Sequence, residues 1–316
     1  ISLWSTFMPL VFVFLIAMAT WGIYYEFLGF AGQQFVAETA GVRERPTVWG
    51  VMGVFRSLAY FLGPILGGLL MTRGDRAVVI VAGTIAIVSY ILLLTWRVKS
   101  KPVEVEVGEI NFAAEASHWR VLFAHVWPML LATLVLGLVD ATFWTTGTVL
   151  TEMLAKDSFW GGLFLPMYVL PSLFVGFIVV RWGIYQGKKK WAEIFMLLGG
   201  AFLMLLFYHD SVFFELAVVF VSSLMLSLSY PLIEAVYSDI VARMGRERKH
   251  LQGLSLSMVS VAYIIGPVLS GLIASRVGER MTFVVMGAVL VVVSLLLLAT
   301  TPKKLKLPQK EIATWG

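Results

Sequence analysis

The sequence predicts an all-α, polytopic membrane bundle, and three observations carry that reading. Of 316 residues, 59% are hydrophobic and only 14% charged, whereas soluble domains average about 45–50% and 25%. Mean hydropathy is +0.88. Apolar stretches long enough to cross a bilayer recur along the chain, separated by turns that hold most of the charge. A soluble fold of this composition would lack the polar residues to cover its surface. Disorder is excluded too, because it needs low hydrophobicity and high net charge. With no cysteine, disulfides and thiolate metal sites are ruled out.

About 20 apolar residues span the hydrocarbon core as a helix that satisfies its own backbone groups. By that ruler nine transmembrane helices are expected, at roughly 8–36, 47–72, 77–96, 121–147, 158–181, 192–209, 211–238, 251–275 and 281–300. The opening ISLWSTFMPL has neither a charged region nor a cleavage site, so it is not expected to act as a signal peptide. Lysine and arginine set the orientation. Eighteen fall on one side (Arg43, Arg45; Arg97, Lys99, Lys101, Arg120; Arg181, Lys188 to Lys190; Arg243, Arg246, Arg248, Lys249; Lys303, Lys304, Lys306, Lys310). Only five, Arg73, Arg76, Lys156, Arg276 and Arg280, fall on the other. The first side is predicted to be the cytoplasm, with the C-terminus there and the chain in the plasma membrane. The net charge of +5 is then a positive-inside signal and no nucleic-acid footprint.

The chain also repeats itself at an offset of 203. Segment 43–73 (RERPTVWGVMGVFRSLAYFLGPILGGLLMTR) and segment 246–276 (RERKHLQGLSLSMVSVAYIIGPVLSGLIASR) align without a gap. Identical pairs include Gly50/Gly253, Ala59/Ala262, Tyr60/Tyr263, Gly63/Gly266, Pro64/Pro267 and Gly68/Gly271. Both copies run from inside to outside, so the repeat is parallel, with its axis along the membrane normal. The polar stretch 98–120 reads as an interdomain linker. It divides a partial three-helix bundle (1–97) from a six-helix bundle (121–301), followed by a cytoplasmic tail (302–316). The asymmetry predicts that three helices belong upstream.

On these residues the chain resembles the major facilitator superfamily, entering at its fourth helix and running to its twelfth. Gly50, Ala59, Gly63, Pro64, Gly67 and Gly68 match the helix-five antiporter signature of the drug/proton branch, with Ala59 in place of a glycine; Gly253, Gly266, Pro267 and Gly271 form the helix-eleven counterpart. Small residues let helix backbones approach closely and Pro64 bends its helix, although ordinary packing accounts for the same residues. The family's basic loop survives here as Arg181 with Lys188, Lys189 and Lys190, lacking its Asp-Arg pair. The resemblance implies acidic partners for it, among Glu38, Glu234 and Asp239. Contact with Asp239 would hold the cytoplasmic side closed, the alternative being a solvated loop.

A charge near the bilayer centre costs at least about 2.5–3.5 kcal/mol, so one that persists has a partner or a function. Glu26 and Arg56 are each expected roughly 13–15 Å deep on consecutive helices. They can form a structural salt bridge or a proton-coupling pair. Asp140, in LVLGLVDATFW toward the outer half of its span, has no basic residue in that span, which suits reversible proton binding; the resemblance puts it on a cavity-lining helix, the alternative being a carboxylate that reaches the outer aqueous vestibule. Glu234 follows the Tyr230-Pro231 break and could bind a cation or pair with Arg243. Trp21, Tyr24, Tyr25, Phe143 and Trp144 could wall a site for an amphipathic cation, or serve only as packing and anchors.

Of the histidines, His118 and His250 read as loop residues, His209 as an outer turn and His125 as the opening of a span, with no metal spacing among them. Neither GxxxxGK, GxGxxG nor Gly-x-Ser-x-Gly occurs. No cofactor, metal or catalytic residue is expected. The reading is a monomeric secondary transporter using alternating access, with a small-molecule substrate, protons and the lipid bilayer as partners. Proton-coupled efflux of a small amphipathic compound is preferred over cation-coupled import. A membrane enzyme or assembly factor would need a clustered polar constellation at one membrane face.

Overall fold

The computed structural model describes residues 45–71, 75–95, 112–182, 187–208, 211–244 and 248–302, together with part of 12–32 and positions 305, 307, 308 and 315. Among them there is helix and no strand. The order is α1 (Arg45–Met71), α2 (Asp75–Thr95), α3 (Phe112–Asp157), a 3-10 turn (Phe159–Leu163), α4 (Phe164–Val169), α5 (Ser172–Trp182), α6 (Lys188–Met204), a second 3-10 turn (Leu205–Phe207), α7 (Val212–Met244), α8 (Arg248–Val277) and α9 (Glu279–Thr300).

Seven stretches among the described residues are helical, long and apolar enough to cross a membrane. The first of the nine expected spans lies mostly outside the described residues, and of the 27-residue α1 the described apolar stretch is Val51–Gly63. Two boundaries differ from the sequence reading. Helix α3 starts at Phe112, inside the segment expected to be linker, and its 46 residues are about 69 Å long. It therefore projects well beyond a hydrocarbon core of about 30 Å. The span expected over 158–181 is broken: Pro171 ends α4 and α5 begins after it. Ser158 caps the preceding turn by accepting a hydrogen bond from the Trp160 backbone N–H, at 3.3 Å. Gly278, at φ 88°, supplies the left-handed residue that turns α8 into α9.

Lipid tails are as apolar as leucine, so close packing and interhelical hydrogen bonds hold such a bundle together. Helix α3 lies tightly on α8. A methyl added at Gly137 would stand 2.7 Å from Ala262 Cβ, and one at Gly266 would stand 2.6 Å from Ala141 Cβ. Helices α6 and α9 meet as closely at Gly200 and Gly287. Ser222 Oγ donates to Gly199 O (2.8 Å) and Ser229 Oγ to Ala192 O (3.2 Å), tying α7 to α6. Phe143, Phe164 and Phe283 fill the fully buried centre. Helix α1 rests against α5, while α2 presents almost its entire surface outward.

Candidate functional site

The small-residue contact between α3 and α8 places Asp140 opposite Tyr263, one helical turn before Gly266. The Tyr263 hydroxyl donates to one carboxylate oxygen of Asp140, and the Tyr168 hydroxyl of α4 donates to the other. Trp144, one turn further along α3, adds its indole N–H. Packing holds the donors in place. The Tyr168 ring stacks on buried Phe143 at 3.8 Å and 12°, and the Tyr168 carbonyl accepts from Ser223 Oγ on α7. One turn beyond Asp140, Thr145 Oγ1 and Ser270 Oγ are 3.0 Å apart, which fixes the register of α3 against α8. Among the described residues no lysine or arginine pairs with Asp140.

Helix α1 reaches the same place through Tyr60. Its ring meets Trp144 edge-on, with centroids 5.9 Å apart, and its hydroxyl lies 3.2 Å from that of Tyr25. Tyr60 and Tyr263 are the equivalent residues of the repeat, so both copies converge on one carboxylate. Although they sit in the middle of apolar helices among protein neighbours, Tyr60, Tyr230 and Tyr263 keep 37%, 38% and 44% of their surface accessible. They are therefore not part of the fully packed core. Tyr230 donates to Leu136 O at 3.3 Å.

Arg56, one turn before Tyr60, is exposed, as is Glu234 of α7, and the two lie within electrostatic reach of each other. Tyr237 Oη, one turn beyond Glu234, is 3.0 Å from Thr133 Oγ1 of α3. Arg56 was expected to face Glu26, which lies outside the described residues; so do Glu38 and Trp21, and the Arg243 side chain considered for Glu234. Of the expected aromatic wall, Trp144 and Tyr25 stand at the site. Phe143 is fully buried, a core residue that supports Tyr168.

At the end of the bundle with the basic loops, Lys188 Nζ donates to both oxygens of Asp239, at 2.7 and 2.9 Å, joining α6 to α7. Its neighbours behave differently. Lys189 is buried and pairs with Glu193 at 2.7 Å on its own helix, also donating to Thr301, while Arg181 and Lys190 are exposed. The signature glycines divide as well. Gly266 is at a close helix approach and a methyl added at Gly253 would stand 3.5 Å from Trp119, but one added at Gly63 or Gly271 meets nothing within 4 Å among the described residues. The close approach expected at Gly63 has no partner among the described residues, where α1 packs against α5. Pro267 lies inside continuous α8. The surroundings of Gly50, Pro64, Gly67 and Gly68 lie outside the described residues, and Ala59 is exposed.

His118 and His250 need a further correction. Both are helical, near the starts of α3 and α8, and neither is a loop residue. Sequence reasoning also missed Tyr168, Tyr230 and both repeat tyrosines as site residues. The signal available for the last two was a polar-tipped aromatic retained at one position of both copies.

A family model described as Major Facilitator Superfamily matches this chain twice, over residues 1–186 and again over 138–315. The chain belongs to the major facilitator superfamily. It is a multi-pass membrane transporter of the secondary type and not an enzyme. No curated protein matches the chain.

Proposed function

We propose that the chain is a proton-coupled exporter of small amphipathic cations that works by alternating access, with Asp140 as the residue that takes up and releases the proton. The observation that carries this reading is the Asp140 site itself: a carboxylate deep in a membrane helix, held by two tyrosine hydroxyls and by no lysine or arginine among the described residues. Such a group can change protonation state without breaking an ion pair, and tyrosine hydroxyls can turn to accept from a carboxylic acid or donate to a carboxylate. Glu234 offers an acceptor for a cationic substrate, and the faces of Tyr25, Tyr60 and Trp144 offer a cation–π wall. Arg56 opposite Glu234 is the competing cation that substrate would displace. The direction of transport rests on the antiporter-type residues of α1.

In this reading the basic-loop end faces the cytoplasm, the C-terminus lies there, and the protein works as a monomer in the plasma membrane. Lys188 and Asp239 form a cytoplasmic latch. A 1–97 partial bundle and a 121–301 bundle rock against each other around the site.

Two measurements test the reading on the full gene product. In proteoliposomes loaded with ethidium or tetraphenylphosphonium, a proton gradient should drive uphill movement in the wild type and none in D140N. Difference infrared spectra taken across a pH titration should contain a carboxylic-acid band that D140N removes, and this readout needs no substrate. A D140N protein with unchanged gradient-driven flux and an unchanged band would refute the assignment. Accumulation of probe in the same direction as protons would replace export with symport.

A further inference from the structure

Outside the transport site, the starts of α3 and α8 bring together three metal-ligating side chains. Glu115 and His118 are three residues apart on α3 and so share a face; His250, the third residue of α8, meets them. The ligand atoms of all three lie within 4.8 Å of one another. Glu115 Oε1 already lies 2.7 Å from His250 Nδ1, and the two imidazole rings stand 4.7 Å apart and steeply tilted at 68°. His118 Nδ1 is buried and makes no hydrogen bond to any described residue. A buried ring nitrogen without a partner costs free energy unless something else satisfies it.

The tail closes this cluster. Leu305 is buried in the hydrophobic core and Leu307 packs on it, which returns the chain to the bundle. Trp315 then stacks on His118 at 4.4 Å and 23° and meets His250 edge-on at 5.7 Å. The indole thus lies over the His118 ring and against the edge of the His250 ring.

We propose that Glu115, His118 and His250 form a binding site for a divalent transition metal of the zinc class, roofed by Trp315. Two imidazoles and one carboxylate are a donor set that zinc accepts, at about 2.0–2.2 Å per ligand with a fourth position for water. Tetrahedral ligands at those lengths lie about 3.3–3.6 Å apart, so on binding the Glu115–His250 pair opens from 2.7 Å while wider separations within the 4.8 Å group close. Hard cations such as magnesium and calcium prefer all-oxygen ligands and are disfavoured. The ion would tie α3 to α8 at the end where the tail docks, joining three segments remote in sequence.

The test uses the purified, chelator-stripped full-length protein and does not depend on transport. Zinc titrated calorimetrically should bind at one equivalent per chain. Cobalt, as a spectroscopic stand-in, should give a tetrahedral absorption band and quench indole emission, with the quench reduced in W315F. H118N and H250N should each weaken zinc binding by at least about tenfold, and E115Q likewise. H125N should leave it unchanged, because His125 Nδ1 is already 2.8 Å from Val121 O on its own helix. If H250N proves unstable, H118N alone decides, since His118 Nδ1 makes no described hydrogen bond that the variant would lose. Absence of one-equivalent binding, or binding that survives H118N and E115Q, would overturn the proposal and leave the cluster a hydrogen-bonded seat for Trp315.

Discussion

Replacing Gly266 by alanine tests whether the α3–α8 contact positions the Asp140 site. The added methyl would stand 2.6 Å from Ala141 Cβ and 3.7 Å from Leu138 Cδ2. Carbon atoms pack at about 3.5–4.0 Å, so the helices must part by on the order of 1 Å. Ala141 has no rotamer through which to yield, and relief can come only from the backbone. Overpacking of this kind costs about 1–3 kcal/mol, while alanine regains about 0.5–1 kcal/mol of helix preference over glycine. The equivalent substitution in the other repeat copy, G63A, meets nothing within 4 Å among the described residues and there gains the helix preference alone. That preference cancels between the two variants, leaving G266A less stable than G63A by about 1–3 kcal/mol. Equilibrium unfolding of the detergent-solubilised protein, followed by tryptophan emission, measures the difference. Because Tyr263 lies one turn from Gly266, the tyrosine hydroxyl bands of G266A should also shift in infrared spectra while those of G63A do not. A G266A protein as stable as G63A, with unshifted bands, would refute the argument that this contact seats Tyr263 on Asp140.

Two further expectations concern ion pairs in very different surroundings. Glu215, only 2% exposed, pairs with Arg280 Nε at 3.2 Å, so R280M should destabilise the protein by about 3–5 kcal/mol by stranding a buried charge, and R280M/E215Q should recover much of the loss; thermal unfolding of both variants checks this. The Lys188–Asp239 pair is more open, its carboxylate side chain 55% exposed, and is worth about 0.2–1 kcal/mol. K188Q should therefore change the closed-to-open ratio at that end by only about 1.4- to 5-fold, read as faster thiol labelling of S238C, a clean probe in a chain without cysteine; unchanged labelling would count against a latch.

The helical class was legible because it depends on composition and on runs of about 20 apolar residues, both local properties. Asp140 stood out for the same reason, as one carboxylate in an apolar helix. What surrounds it was not legible. Tyr168 comes from α4, a six-residue helix set off by Pro171, and its aim depends on Phe143 and Ser223 from two other helices. Such convergence depends on crossing angles, and sequence spacing says nothing about them. The histidine cluster was missed for a related reason. His118 and His250 are 132 positions apart, so no short spacing announces them, and reading both as loop residues hid the shared helical face of Glu115 and His118. Among the basic residues of the α6 loop, burial rather than charge separated Lys189 from Lys188: within one turn the helix turns the first toward Glu193 and Thr301 and the second toward Asp239.

The unequal surroundings of Gly63 and Gly266 also indicate which seam can open. Helix α8 is locked to α3 by two close approaches, Gly137 against Ala262 and Gly266 against Ala141, and by the Thr145–Ser270 pair. Parting them would sacrifice van der Waals contact and a hydrogen bond that lipid cannot replace. Helix α1 meets α3 at the site through the edge of the Tyr60 ring on Trp144, a contact worth about 0.5–1.5 kcal/mol. On the transport reading proposed above, parting α1 from α3 is therefore the less costly of the two at the site, and the packing of α1 on α5 is what must yield with it. It would uncover Trp144 and admit water beside Asp140, while Tyr168 and Tyr263 kept their hydrogen bonds to the carboxylate. The group that exchanges the proton would then keep its geometry in both states, and its access alone would change, as coupling by alternating access demands.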